Sequence, residues 1–253
     1  MVKLFVLLIV AGFSFDGITK ELLVVRGDGF YPPYEMIIDN SITGFHIDIV
    51  ASVADRMGLQ AKFKTVPWKR AIQMIKKGNA DAITYMSKTK ERSEFVYFHK
   101  NNILSYIENG FFTLKDRFNK IEYTGDYHQL MPYRIGKLAG YAYDPSFDGI
   151  TYLKQISNIH TEEQLLNMLT HRRIDIAIGD ISRINYIAQQ QGNFHEIEFL
   201  NPPISRRPQY LAFSKAKSNE QFVEKFANEM ARFKQSERFQ QLLKKYKIEQ
   251  NLR

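Results

Sequence analysis

Cysteine is absent from the 253 residues, which excludes disulfides, thiolate metal sites and a lipid anchor built on cysteine. Tryptophan occurs once, at Trp68. Catalytic signatures are missing too. There is no G-x-S-x-G, no phosphate-cradling G-x-x-x-x-G-K-[ST] and no H-E-x-x-H, and His46, His99, His128, His160, His171 and His195 show no ligand-like spacing. Neither a cofactor nor a metal is expected. Dense basic runs are lacking as well: the net charge of +8 is scattered over many segments. That pattern fits a solvated surface attractive to anionic ligands or an anionic envelope, and no nucleic-acid partner is expected.

One long apolar run is present, Leu4 to Phe15, behind Met1-Val-Lys3. A charged start followed by so short an apolar core suits a secretory signal and falls short of a membrane span. A buried first strand is the alternative, but Glu21 to Arg26 (ELLVVR) already supplies one. Residues 1–19 are therefore expected to be a signal peptide and the remainder a free, monomeric periplasmic protein.

What is plentiful is alternation, and apolar residues make up 44% of the chain. Extended runs at Leu22 to Arg26, Gln60 to Val66 and Asp81 to Thr84 are separated by helices over about Ile47 to Gly58 and up to Gly78. A hairpin at Met36 to Gly44 turns on Asp39-Asn40. A crossing strand at Gly110 to Lys115 opens a second block: strands at Arg134 to Lys137, near Asn158 and at Ile174 to Ile178, and helices after Asp144-Pro145, at Thr161 to Leu169 and from Ile181. The sequence Thr161-Glu-Glu-Gln164 marks a helix start. Pro202, Pro203 and Pro208 bracket a second crossing, Gln209 to Ser214 returns as a strand, and Asn219 to Tyr246 is helical with a break near Gln235-Ser236. An Asp-led apolar strand occurs in both blocks, at Asp81 and at Asp175. This predicts an α/β protein of two Rossmann-like lobes joined by a two-strand hinge, lobe 1 spanning 20–109 and 206–253 and lobe 2 spanning 110–205.

Ligands sit at the carboxyl ends of strands in such sheets. Arg92, past the turn that holds Ser87 and Thr89, offers a planar fork for a carboxylate, or pairs on the surface with Glu91 or Glu94. Asp180, at the matching place in the second block, takes an ammonium group or caps the next helix. Tyr31, Tyr34 and Trp68 are candidate stacking walls, with core as the alternative for Tyr34 and Trp68, and Tyr85 joins the contact set. Asp28 is a side-chain selector or a turn residue, and Arg70 reads as exposed.

The ordered motifs FYPPYE (30–35), TGFHIDI (43–49), GNADAI (78–83), SKTKER (87–92) with Phe98, and RRIDIAIGD (172–180) resemble the family 3 extracellular solute-binding proteins. These are type II periplasmic binding proteins of polar amino acid ABC transporters, and the resemblance spans about residues 20 to 248. It implies that Arg92 grips an α-carboxylate beside Ser87 and Thr89, that Asp180 binds the α-amino group, and that Asp28, Tyr31 and Trp68 contact the ligand. It also implies an inner-membrane ABC permease as partner. Two positions depart from the pattern. Gly140-Tyr141-Ala142 stands where a small hydroxyl residue commonly follows the glycine, and the interval from Asp81 to Arg92 is one residue short. The same fold, by resemblance, hosts a periplasmic dehydratase, for which Glu35 is the candidate acid or base, and ligand sensors for membrane partners.

Overall fold

Strands that are apolar on both faces need helices on both sides, and β1 (Lys20–Arg26), with Val24 and Val25 fully buried, is such a strand. It opens the computed structural model, which describes residues 20–116, 120–141 and 143–248. The segment read as a signal peptide, Ala142 and the end of the tail lie outside the described residues. A hairpin of β2 (Met36–Ile38) and β3 (Ser41–Thr43) follows; Asp39 and Asn40 at its tip have φ of 48° and 60°, the left-handed pair that a two-residue hairpin turn requires. Then come α1 (Phe45–Arg56), β4 (Leu59–Thr65), α2 (Trp68–Lys76) and β5 (Ala82–Ser87). β1 lies between β4 and β5 and runs parallel to both, pairing Leu22 with Ala61 and Val24 with Ala82.

Next are α3 (Lys90–Phe95), β6 (Val96–Tyr97) and the long β7 (Ile103–Leu114). The second block holds β8 (Arg134–Leu138), α4 (Pro145–Asp148), β9 (Lys154–Ile159), α5 (Glu162–Thr170), β10 (Ile176–Asp180), α6 (Ile181–Gln191) and β11 (Ile197–Phe199). β8 is parallel to both β9 and β10. The chain returns through β12 (Ser205–Ser214) and ends in α7 (Glu220–Phe233) and α8 (Glu237–Lys245).

β7 and β12 run antiparallel, from Ser205 opposite Asn109 to Tyr210 opposite Ile103, and fuse the two blocks into one ten-stranded sheet ordered β4-β1-β5-β12-β7-β10-β8-β9, with β11 on β7 and β6 on β12. Apolar packing is divided between the ends of this sheet. One pair of clusters gathers Phe45, Leu104, Phe213 and Phe226, and Ile75, Ile83 and Ala212. The other gathers Phe112, Leu166 and Ile184, and Phe111, Ile135 and Phe147. Phe45, Phe111 and Phe226 are fully buried, and truncating such a ring costs about 3–5 kcal/mol.

The Asp-led strands carry the same contact in both blocks. Asp81 Oδ2 accepts from the backbone N–H of Leu23 on β1 at 2.8 Å, and Asp175 Oδ2 accepts from that of Arg134 on β8 at 2.9 Å. Each aspartate thus pins its own strand to the neighbouring one.

Three expectations are corrected. The first crossing strand starts at Ile103, not Gly110, because residues 103–109 pair with β12. The second crossing and the returning strand are one strand, with Pro208 inside it one residue before pairing with β5 begins at Gln209. The turn after Ser87 leads into α3, a helix too short to show a periodic stripe.

Candidate functional site

The carboxyl ends of β1 and β5 face those of β8 and β10 across the hinge, and between them lies a cavity of about 570 Å³, a volume suited to a small molecule. Asp28, Tyr31, Trp68, Tyr85, Ser87, Arg92, Gly140, Tyr141 and Asp180 line it. Thr89 does not; its hydroxyl accepts from the Arg92 N–H and caps α3. Arg70 and Tyr34 lie outside the lining, Arg70 exposed and Tyr34 buried in core.

Arg92 therefore sits in the first turn of α3 and not at a bare strand end. Its Nη1 donates to the Ser87 carbonyl at 2.8 Å and its guanidinium stands 5.5 Å from the Trp68 ring centre. No ion pair joins it to Glu91 or Glu94 among the described residues, so the fork keeps donors for a ligand. Tyr85 is aimed by a local distortion. β5 carries one extra residue between its pairings of Ile83 with Ala212 and of Met86 with Tyr210, and Tyr85 takes φ +54° there. Such a bulge redirects a side chain, and a left-handed tyrosine stores strain of the kind found at ligand sites. Tyr85 stacks on Tyr31 with ring centres 4.7 Å apart. Gly29 makes room for that pair, since a Cβ there would stand 2.3 Å from Tyr31 Cε2.

Asp180 ends β10 and caps α6, its Oδ1 accepting from the Arg183 N–H at 2.9 Å. Its other oxygen, Oδ2, is buried without a hydrogen-bond partner. Burial pushes its pKa up from 3.8 to about 6, against the lowering effect of the Arg183 amide and guanidinium. One oxygen of the carboxylate thus caps α6 and the other is left without a protein partner. Arg183, which the sequence did not single out, pairs with Glu162 at 2.8 Å and reaches over Tyr31 from the other block, 5.8 Å from the ring centre. Tyr34 makes a second contact between the blocks, donating its hydroxyl to Ser182 Oγ at 2.7 Å.

Glu35, the candidate acid or base, lines the cavity but is tied down behind it. Its carboxylate accepts from Arg26 Nε at 3.0 Å and lies 3.1 Å from His46 Nδ1, whose Nε2 meets Ser105 Oγ at 2.9 Å. Burial alone would raise its pKa, but the His46 hydrogen bond and charge, with Arg26, hold it below the usual carboxylate value. Burial holds His46 below the usual imidazole value. This is an ionised anchor and not a carboxyl poised near neutrality.

The floor also escaped the sequence. Asn109 on β7 and Arg207 and Gln209 on β12 line the cavity from the hinge. Asn109 Nδ2 donates to Ser205 Oγ at 3.1 Å, and Gln209 Nε2 to Ser87 Oγ at 2.7 Å. Only the register between β7 and β12 brings these residues together.

Two α/β blocks on a pair of crossing strands, with a lined cavity between them, define a two-lobed binding protein of the type II periplasmic fold. Residues 23–249 match the family of bacterial extracellular solute-binding proteins, family 3, and the chain belongs to it. It is 26% identical over 196 residues to the ABC transporter arginine-binding protein 1 of Escherichia coli (strain K12), covering 73% of this chain and 74% of that one. Among solved structures it is similar to the second substrate-binding domain of a putative amino acid ABC transporter from Streptococcus pneumoniae Canada MDR_19A. That match has a TM-score of 0.71 and 19% identity, over 88% of this chain and 99% of the other. It is likewise similar to an ancestral cationic amino acid solute-binding protein, with a TM-score of 0.71 and 19% identity over 89% and 95% of the two chains.

Proposed function

We propose that this protein is a monomeric, non-enzymatic periplasmic receptor that captures a free amino acid between its lobes and delivers it to an inner-membrane ABC permease. The observation that carries the proposal is the pairing of charges across one cavity. Arg92 from one lobe has donors to spare and no carboxylate partner among the described residues, and Asp180 from the other lobe has a buried oxygen with no partner. A zwitterion satisfies both at once. Its carboxylate takes the Arg92 fork with Ser87 beside it, and its ammonium group takes Asp180. Asp28, Tyr31, Trp68, Tyr85, Gly140 and Tyr141 wall the remaining space. Lobe 1 comprises residues 20–109 and 206–253, lobe 2 comprises 110–205, and residues 1–19 direct export. Contacts made only when both lobes meet the ligand supply the energy of closure. The names of the relatives, which include arginine-binding and amino acid transporter proteins, support the ligand class.

A thermal-shift screen of the exported protein against amino acids, polyamines and small carboxylates tests this, because a ligand that binds only the native state raises stability by mass action. At least one amino acid is expected to raise Tm, and Arg92→Ala to abolish the rise. No shift with any amino acid, or an undiminished shift in Arg92→Ala, contradicts the proposal.

A further inference from the structure

The charged groups lining the cavity can be matched against one another, and the match is incomplete. Among the carboxylates, Glu35 is answered by Arg26 at 3.0 Å and Glu162 by Arg183 at 2.8 Å. Asp28 stands exposed on the loop after β1, where water solvates it. Asp180 Oδ2 is the buried carboxylate oxygen left over. The guanidinium of Arg183 also occupies the place a cationic ligand side chain would take, against Glu162 and over the Tyr31 ring.

Among the arginines, Arg92 and Arg207 have no carboxylate partner among the described residues. Arg207 lies on the hinge strand β12, opposite Ile107, and among the described residues its guanidinium reaches only the Tyr143 carbonyl, Nη2 at 3.5 Å, the outer limit of a useful hydrogen bond. Its polar neighbours are satisfied and sunk in the floor: Gln209, two residues along the same face, is 1% exposed, and Asn109 is 5% exposed. Arg207 differs from them: it is exposed to the water of the open cavity, its charge acts on Asp144 without an ion pair, and among the described residues it has no strong hydrogen bond; lobe closure would remove its water.

We infer that Arg207 forms a second anion subsite, and that the ligand is an acidic amino acid whose side-chain carboxylate docks on it. The inference rests on the amino acid reading above and adds the side-chain class. An α-carboxylate on Arg92, an ammonium on Asp180 and a second carboxylate on Arg207 give each of these three cavity-lining groups a partner of opposite charge. A cationic side chain would place like charge beside Arg207 and compete with Arg183 for Glu162. The planar fork is specific to a carboxylate in a way that a lysine is not.

Titration calorimetry of the exported protein with L-glutamate, L-aspartate, L-glutamine, L-asparagine and L-arginine tests the subsite. Wild type is expected to bind at least one acid about 10- to 100-fold tighter than its amide, the range for hydrogen bonds to a charged group. Arg207→Gln is expected to erase that preference, and Arg207→Lys, which keeps the charge without the fork, to restore part of it. The inference is overturned if an amide or arginine binds best, or if Arg207→Gln leaves the ratio of acid to amide unchanged while Arg92→Ala abolishes binding. In that event the amino acid reading stands alone. If no amino acid binds, both fall.

Discussion

Asp180 caps a helix with one carboxylate oxygen and leaves the other, the proposed ligand contact, buried without a partner, and that arrangement has a cost in stability. In the fold its proton is held up to about pH 6, whereas an unfolded aspartate releases it near 3.8, so the native state binds the extra proton between those values. Stability from this group therefore falls as pH rises from about 4 to 6, and the penalty of the buried charge persists above that. Asp180→Asn keeps a good capping residue and removes the charge. The variant is expected to melt above wild type at pH 7.5, to melt close to it at pH 4, and to show no thermal shift with the ligand. Wild-type affinity for the ligand should weaken by about tenfold per pH unit below 6, since only the ionised form pairs with an ammonium. Scanning calorimetry and titrations across pH 4.5–8 read both effects. An unchanged melting temperature with full ligand affinity would show that Asp180 is a cap only.

Elements that depend on local pattern were legible in the sequence, and those that depend on register were not. The apolar stripes of α1 and α2, the left-handed Gly78 that closes α2 (φ +69°) and the capping threonine of α5 are all local signals. The short α3 shows only a cap, and the true lengths of β7 and β12 come from pairing between residues about a hundred positions apart. The site divides in the same way. Arg92 and Asp180 follow strand ends and could be read, whereas Asn109, Arg207 and Gln209 require the hinge register. Arg183 was within reach, since a side chain three residues into a helix capped by Asp180 lies near that cap. The repeated aspartates Asp81 and Asp175 were visible as a motif, but not their task. Asp81→Ala leaves the Leu23 N–H without its acceptor and is expected to lower unfolding free energy by about 1–3 kcal/mol in denaturant titrations. A change within experimental error would mean that the contact is dispensable to the strand pair.

On the scale of the whole molecule, two pairs of apolar clusters are joined by two strands, and the contacts across the cleft include two polar ones, Tyr34 to Ser182 and Arg183 over Tyr31. Separate apolar clusters on either side of the cleft suit the proposed opening and closing, because each would stay packed as the blocks move. The Tyr34–Ser182 bond joins the two blocks and is expected to favour closure. Tyr34→Phe preserves the buried ring and should weaken ligand binding by about 2- to 10-fold, matching one net hydrogen bond, with little change in the stability of the unliganded protein. Equal affinity in wild type and Tyr34→Phe would exclude the bond from closure. The central claim remains the clamp, in which one arginine and one aspartate on opposite lobes hold the two charges of an amino acid. Titration calorimetry of wild type and Arg92→Ala with the amino acid that most raises Tm tests it most directly. The account predicts one site in the wild type and at least a hundredfold weaker binding in the variant; equal affinities would contradict it.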